Sequence, residues 1–589
     1  MAEKTNHKTM QAGKLVPESA YKRFLESKGH SIEFNPKTEG GFVWDTKTHI
    51  PTAYVRSPFW RAQERDTELH RADIRPVFIH DKEDVAVQKV ETGGELELYA
   101  WDPNKQEAAP IMAKDSPVPE KLKAINNEEE YFVQEDFLFE ELEPSAREIG
   151  FSAELANACI ETNFHHSADP VQTALAMAHS LKKMAMVVEE QGWKLTPIAA
   201  FPHRPFEQSD MNQDDYVQRI SHKYIKDHNI HHFLGSSFQV HVEMLDLESG
   251  LQAINMYQQV APLLYAISLA GPFLHGQVNP NLQKIYQSDD TNQSRLDDSE
   301  SYGALAHDDW MSVRYASRWR GSPSGGSFVE PLPTKAQDFY ALAERGLRDD
   351  SPDSVYNIPS PARAAGHHRD RVRIDIGPHG TLEISNMDTF GGNVLKLAAV
   401  QEFTKVLMWK LQLYAKSGRM GELSKQFPEL FPPEVTKETL RTAHLNSIEV
   451  AKRGVDAELQ TPNGGKETAC HQFSRLLSFV NEPISDPGQN IEYTGLSKGI
   501  INELVKSSWV PSREDYEDYT DDDRVVSISG FYKSGIGTLS HWLKRRANDL
   551  KALRGMNDEE AIKDCMDDLG TSYHEFLNQL NGDVKNLFV

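Results

Sequence analysis

A chain of 589 residues with 39% hydrophobic content can bury a sizeable core, and it is too long for one simple core, so two or three subregions are expected. Its 88 acidic against 63 basic residues give a formal net charge of −25, which argues against nucleic acid as the main partner. A nucleotide stays open, because it needs only a local positive patch and a metal. Three cysteines (Cys159, Cys470, Cys565) without CxxC spacing support neither a disulfide framework nor a zinc finger. No run of 18 apolar residues occurs and Met1–Asn6 lack an apolar signal core, so a cytoplasmic protein with no membrane span is expected.

Residues 1 to about 40 are polar and weakly periodic and read as a loosely attached arm. Residues 41–90 look irregular, but Phe42, Trp44, Tyr54, Phe59, Trp60 and Phe78 suggest a segment packed on the main body. The two together form an N-terminal extension, 1–90. Then comes Gly93–Pro103, a strand in which Glu95 and Glu97 share one face, roughly 7 Å apart, and Leu96 and Leu98 share the other. By itself this stretch fits a half-exposed strand with its acidic face in water. The other reading is a ledge for a divalent metal, since carboxylate oxygens suit Mg²⁺.

Asp169-Pro170 starts a helix, with Asp169 as cap and Pro170 in the first turn, and Gly192 ends it. Trp193–Phe201 reads as a strand. Ser236–Met244 is a second alternating strand, with Phe238, Val240, Val242 and Met244 on one face and Gln239, His241 and Glu243 on the other. Asp246 precedes a long apolar helix in which Pro262 predicts a kink. The segment Trp310–Gly326 carries Arg314, Arg318 and Arg320 beside a Gly/Ser-rich turn. It reads either as a surface helix with cation–π pairs or as an anion clamp.

Arg371–Ile376 and Thr381–Asn386 form a hairpin, with Arg371, Arg373 and Asp375 on one face and Glu383 and Ser385 on one face of the partner strand. Helices are expected at 394–416 and near 437–453, 466–481, 495–507 and 536–582. The acidic run Glu514–Asp523 reads as a solvated loop.

Three strands thus share one design, an apolar face and a face bearing Glu, Gln, His, Arg or Asp. The fold class expected is α+β, an antiparallel sheet forming a charged floor and backed by helices, with a largely helical C-terminal region. The expected divisions are 91–400 for the catalytic part and 401–589 for the helical part. Carboxylates with arginines suit Mg²⁺ and a polyphosphate. No Walker loop or Rossmann glycine pattern is present.

The order of these segments resembles the glutamate–cysteine ligase type 2 family of carboxylate–amine ligases, over roughly residues 90–400. The residues that carry the resemblance are Gly94-Glu95-Leu96-Glu97 with Trp101-Asp102-Pro103, Glu154 and Glu161 with Thr162, and Gln239-Val240-His241-Val242. Further along they are Pro262-Leu263-Leu264 with Gly271-Pro272-Phe273, Ser312-Val313-Arg314 with Pro323-Ser324-Gly325, and Thr381-Leu382-Glu383. The resemblance implies a glutamine synthetase-like fold, ATP with two or more Mg²⁺ ions, and an amide bond formed through an acyl phosphate. Its substrates would be a carboxylate (glutamate by family) and an amine, with a homo-oligomer left open.

It further implies Glu95, Glu97, Glu154, Glu161, His241 and Glu383 as metal ligands. Arg314, Arg371 and Arg373 would be catalytic, and Arg314, Arg318 and Gln239 would bind the nucleotide. Two departures stand out. Gln239 occupies a position where many relatives carry His, and Ser385 one where the family usually has Arg. An amide-cleaving hydrolase on the same fold and a non-catalytic nucleotide-binding relative remain the alternatives.

Overall fold

The computed structural model describes short strands between residues 16 and 76, then 86–127, 142–199 except 155, 203–204, 207–212, 236–278 except 275, 331–339, 372–375, and 380–588 except 487–490, 522 and 581–582. Strand β1 (Thr92–Asp102) is central to the main sheet. It is followed by β2 (Gly150–Ala153), β3 (Cys159–Ser167), helix α1 (Pro170–Glu189), β4 (Lys194–Thr196), β5 (Phe238–Glu243), helix α2 (Leu247–Ser268), β6 (Val372–Asp375), β7 (Thr381–Met387) and helix α3 (Val394–Lys416). The strand order is β6-β7-β5-β1-β3-β2, with β4 paired to the far end of β1, and these pairs are all antiparallel.

The alternation in the sequence explains which side meets the helices. Leu96, Leu98, Val240, Val242, Leu382 and Ile384 are fully buried. Helix α2 packs on this face so closely that a Cβ on Gly250 would lie 3.5 Å from Leu382. The helix signals hold. Asp169 accepts from the Val171 amide at 2.9 Å, and Asp246 from the Ser249 amide at 2.7 Å. Helix α2 is a single element through Pro262.

Several expectations change. The strand expected over Trp193–Phe201 shrinks to Lys194–Thr196, because Pro197 has no amide to extend the ladder. Within residues 1–90, His30–Ile32, Gly40–Asp45, Pro51–Arg56 and Arg75–Pro76 form a small antiparallel sheet where irregular chain was expected. The acidic run at 514–523, expected as a solvated loop, is largely exposed among its described residues but begins as a helix. Ser512 caps a short helix, Arg513–Glu517, Tyr516 packs on Trp542 with ring centroids 4.9 Å apart, and Arg554 pairs with Asp521 and Asp523.

Some of the late helices pack on the sheet and others on the helices behind it. Helix α3 runs across the boundary expected at 400. It is followed by α4 (Lys437–Arg453), α5 (Ala469–Asn481), α6 (Lys498–Ser507), α7 (Leu539–Arg554) and α8 (Asp558–Gln579). The Trp101 indole donates to Asp567 on α8 at 2.6 Å, and the Leu195 amide donates to His574 Nε2 at 2.9 Å. Gly392 has φ 64°, and a Cβ there would meet the Tyr573 ring at 2.8 Å, so glycine is what lets α8 seat against the turn before α3.

On α3, Lys396 is almost wholly buried. It donates to Ser507 Oγ at 2.8 Å and to the Gly537 carbonyl at 2.9 Å, and burial pushes its pKa down to about 7. Among the described residues no helix is long and apolar enough to cross a membrane.

Candidate active site

Register decides which side chains meet on the polar face, because residues directly opposite in an antiparallel pair point the same way. Glu97 on β1 lies opposite Glu161 on β3, and Glu161 lies opposite Ser152 on β2. Glu95 lies opposite Asn163 on one side and Gln239 on the other. One row further, Gly93 lies opposite His241, His241 opposite Glu383 on β7, and Glu383 opposite Arg373 on β6. Four strands therefore put Glu95, Glu97, Glu161, Gln239, His241 and Glu383 on one surface.

Two clusters form there. In the first, carboxylate oxygens of Glu97, Glu154 and Glu161 lie within 4.8 Å of one another. Glu97 accepts from Ser237 Oγ at 3.0 Å and from Gln239 Nε2 at 3.1 Å, and Glu161 accepts from Ser152 Oγ at 2.6 Å. Burial, reinforced by the charges of Glu154, Glu95 and Glu97, holds the Glu161 carboxyl well above the usual carboxylate range, against the Ser152 hydrogen bond. Such a cluster requires a proton or a cation. Hard oxygen donors at this spacing fit Mg²⁺, whose ligands sit about 2.1 Å from the ion.

In the second cluster, Glu95 Oε1 is 3.4 Å from His241 Nε2, and His241 Nδ1 is 3.4 Å from Thr381 Oγ1. Glu383 is fully buried beside them.

All six carboxylate and histidine positions expected from the sequence fall on these two clusters. Gln239, expected at the nucleotide, donates to the Glu97 carboxylate. Arg314, Arg318 and Arg371 lie outside the described residues, and Arg373 is placed by its backbone register alone. Ser152 and Ser237 escaped the sequence reading, since a lone serine on a strand carries no signal until its partner strand is known. His166 also escaped it. Its ring lies against that of His241, with centroids 5.8 Å apart.

The profile of glutamate–cysteine ligase family 2 matches residues 92–485, and the chain belongs to that family, whose members form carbon–nitrogen bonds. The match extends past the expected boundary at 400 into the helices behind the sheet. A candidate glutamate–cysteine ligase 2-2 of Frankia casuarinae is 24% identical over 163 residues, which span 26% of this chain and 19% of that protein.

Among solved structures, the glutamate–cysteine ligase of Francisella tularensis in complex with AMP has 11% identity and a TM-score of 0.43, covering 85% of this chain and 97% of that one. A bifunctional glutathione synthetase from Pasteurella multocida has 10% identity and a TM-score of 0.42, covering 84% and 52%.

Proposed function

We propose that the chain is a cytoplasmic ATP- and Mg²⁺-dependent ligase that joins the γ-carboxylate of glutamate, or a closely related acid, to an amine. The observation that carries this reading is the convergence of Glu97, Glu154 and Glu161 on the polar face of a sheet belonging to this family. The floor that acts lies within residues 91–400, and the helices beyond it complete its support.

A carboxylate oxygen is a poor leaving group and phosphate a good one. The acid therefore attacks the γ-phosphorus of ATP, ADP departs, and the amine then displaces phosphate from the acyl phosphate. Bound Mg²⁺ would supply positive charge that offsets the charge developing on the transferred group. Glu97, Glu154 and Glu161 would hold one ion, and Glu95, His241 and Glu383 would hold another. Ser237 and Gln239 fix the Glu97 carboxylate, and Ser152 fixes that of Glu161, so these ligands need little rearrangement on binding. Arg314, with Arg371 or Arg373, steadies phosphate and the substrate carboxylate.

The test is coupled turnover. ADP and phosphate should form at the full rate only when ATP, Mg²⁺, the acid and the amine are all present. Release of ammonia or amine from an amide substrate, without consumption of ATP, would contradict the reading.

A further inference from the structure

Strand β3 carries one residue more than β1 between the pairs Phe164–Gly94 and Ser167–Thr92. Simple alternation from Ile160, Thr162 and Phe164 would send His166 to the apolar side. The extra residue, a β-bulge, re-aims it. A Cβ built on Gly93 would sit 2.5 Å from His166 Cδ2 and 2.6 Å from its Nε2. The imidazole therefore fills the space that a side chain at position 93 would take, on the polar face and directly opposite His241. The two rings meet edge to face, with an interplanar angle of 60°. Glu95 stands two residues along the same strand, already 3.4 Å from His241.

The two clusters of the floor thus differ in donor chemistry. The cluster of Glu97, Glu154 and Glu161 offers oxygen alone. The cluster of Glu95, His241 and Glu383 has a second imidazole beside it. Oxygen donors suit Mg²⁺, whereas imidazole nitrogen shifts preference toward transition-metal ions.

We propose that His166 is a further ligand at the ion position of Glu95, His241 and Glu383, and that it makes this position prefer a transition-metal ion such as Mn²⁺ over Mg²⁺. The proposal rests on the ligase reading of the floor. The bulge and the glycine act together here, one aiming the ring and the other clearing its place.

The experiment is pulsed electron paramagnetic resonance of Mn²⁺ bound to the full chain, with Mn²⁺ and Mg²⁺ affinities measured by titration. The wild type should show nitrogen couplings from two imidazoles. His166→Phe, which keeps a ring in the gap, should show one, with Mn²⁺ affinity about 10-fold weaker and Mg²⁺ affinity nearly unchanged. Gly93→Ala should produce the same loss with His166 still present. Identical couplings and an identical Mn²⁺ to Mg²⁺ ratio in His166→Phe would overturn the proposal, even if that variant melts at a lower temperature. Mn²⁺ bound by the wild type without any nitrogen coupling would overturn the proposal and also remove His241 from the ligand set. A wild type that binds neither ion would overturn the ligase reading itself.

Discussion

Glu97→Gln should lower kcat by about 10³-fold or more, roughly 4 kcal/mol of lost transition-state stabilisation, with the fold intact. Glu97 is the residue through which the acidic cluster is organised. It faces Glu161 across the strand pair, shares the 4.8 Å cluster with Glu154, and is gripped by Ser237 and Gln239. The amide of glutamine keeps the shape and one acceptor oxygen, yet it removes the charge proposed to bind the cation.

The same change has an opposite effect on the metal-free protein. The Glu161 carboxyl is raised partly by the charge of Glu97, so its removal relieves like-charge repulsion. Melting of the metal-free variant should therefore occur at or above the wild-type temperature, while the added stability that Mg²⁺ gives the wild type should shrink. Both are read by kcat and by thermal unfolding with and without Mg²⁺. Unchanged product formation by Glu97→Gln would show that the cluster is not the metal site.

The second large effect concerns stability. Lys396 has a pKa of about 7 in the folded chain against 10.5 for an ordinary lysine. Between those values the unfolded chain binds a proton that the folded chain does not, so unfolding becomes less favourable as pH rises. The slope approaches about 1.4 kcal/mol per pH unit for this one group. Lys396→Met has no such group. The stability of the wild type relative to this variant should therefore rise by roughly 2–3 kcal/mol between pH 7 and pH 9, read from urea midpoints at matched ionic strength. A flat difference would mean that the ammonium reaches water and that α3, α6 and the turn at Gly537 do not close over it.

Much of the floor was legible in the chain because strand alternation is a local signal. Glu95 and Glu97 against Leu96 and Leu98, and Gln239 and His241 against Val240 and Val242, needed only a period of two. Asp169-Pro170 and Asp246 marked helix starts for the same local reason. What failed to show depends on partners distant in sequence. Tyr99 and Trp101 share the parity of Glu95 and Glu97, yet both are buried, Trp101 by way of Asp567 more than 400 residues on.

His166 was hidden by the bulge, since one inserted residue reverses every assignment of face after it. The helices of the last third carry ordinary amphipathic patterns, and nothing local in them says that they finish the core of a sheet that begins at Thr92. The basic wall expected from Arg314, Arg318 and Arg371 lies outside the described residues, so the acidic side of the site is the part that sequence and structure both describe.

The most direct measurement of the central claim is hydroxylamine trapping with ATP, Mg²⁺ and a panel of amino acids and other carboxylates. If the floor activates a carboxylate as its acyl phosphate, a hydroxamate should accumulate with glutamate or a close analogue, in step with ADP, and should be lost in Glu97→Gln. No hydroxamate from any acid, under conditions in which the protein binds ATP and Mg²⁺, would contradict the account.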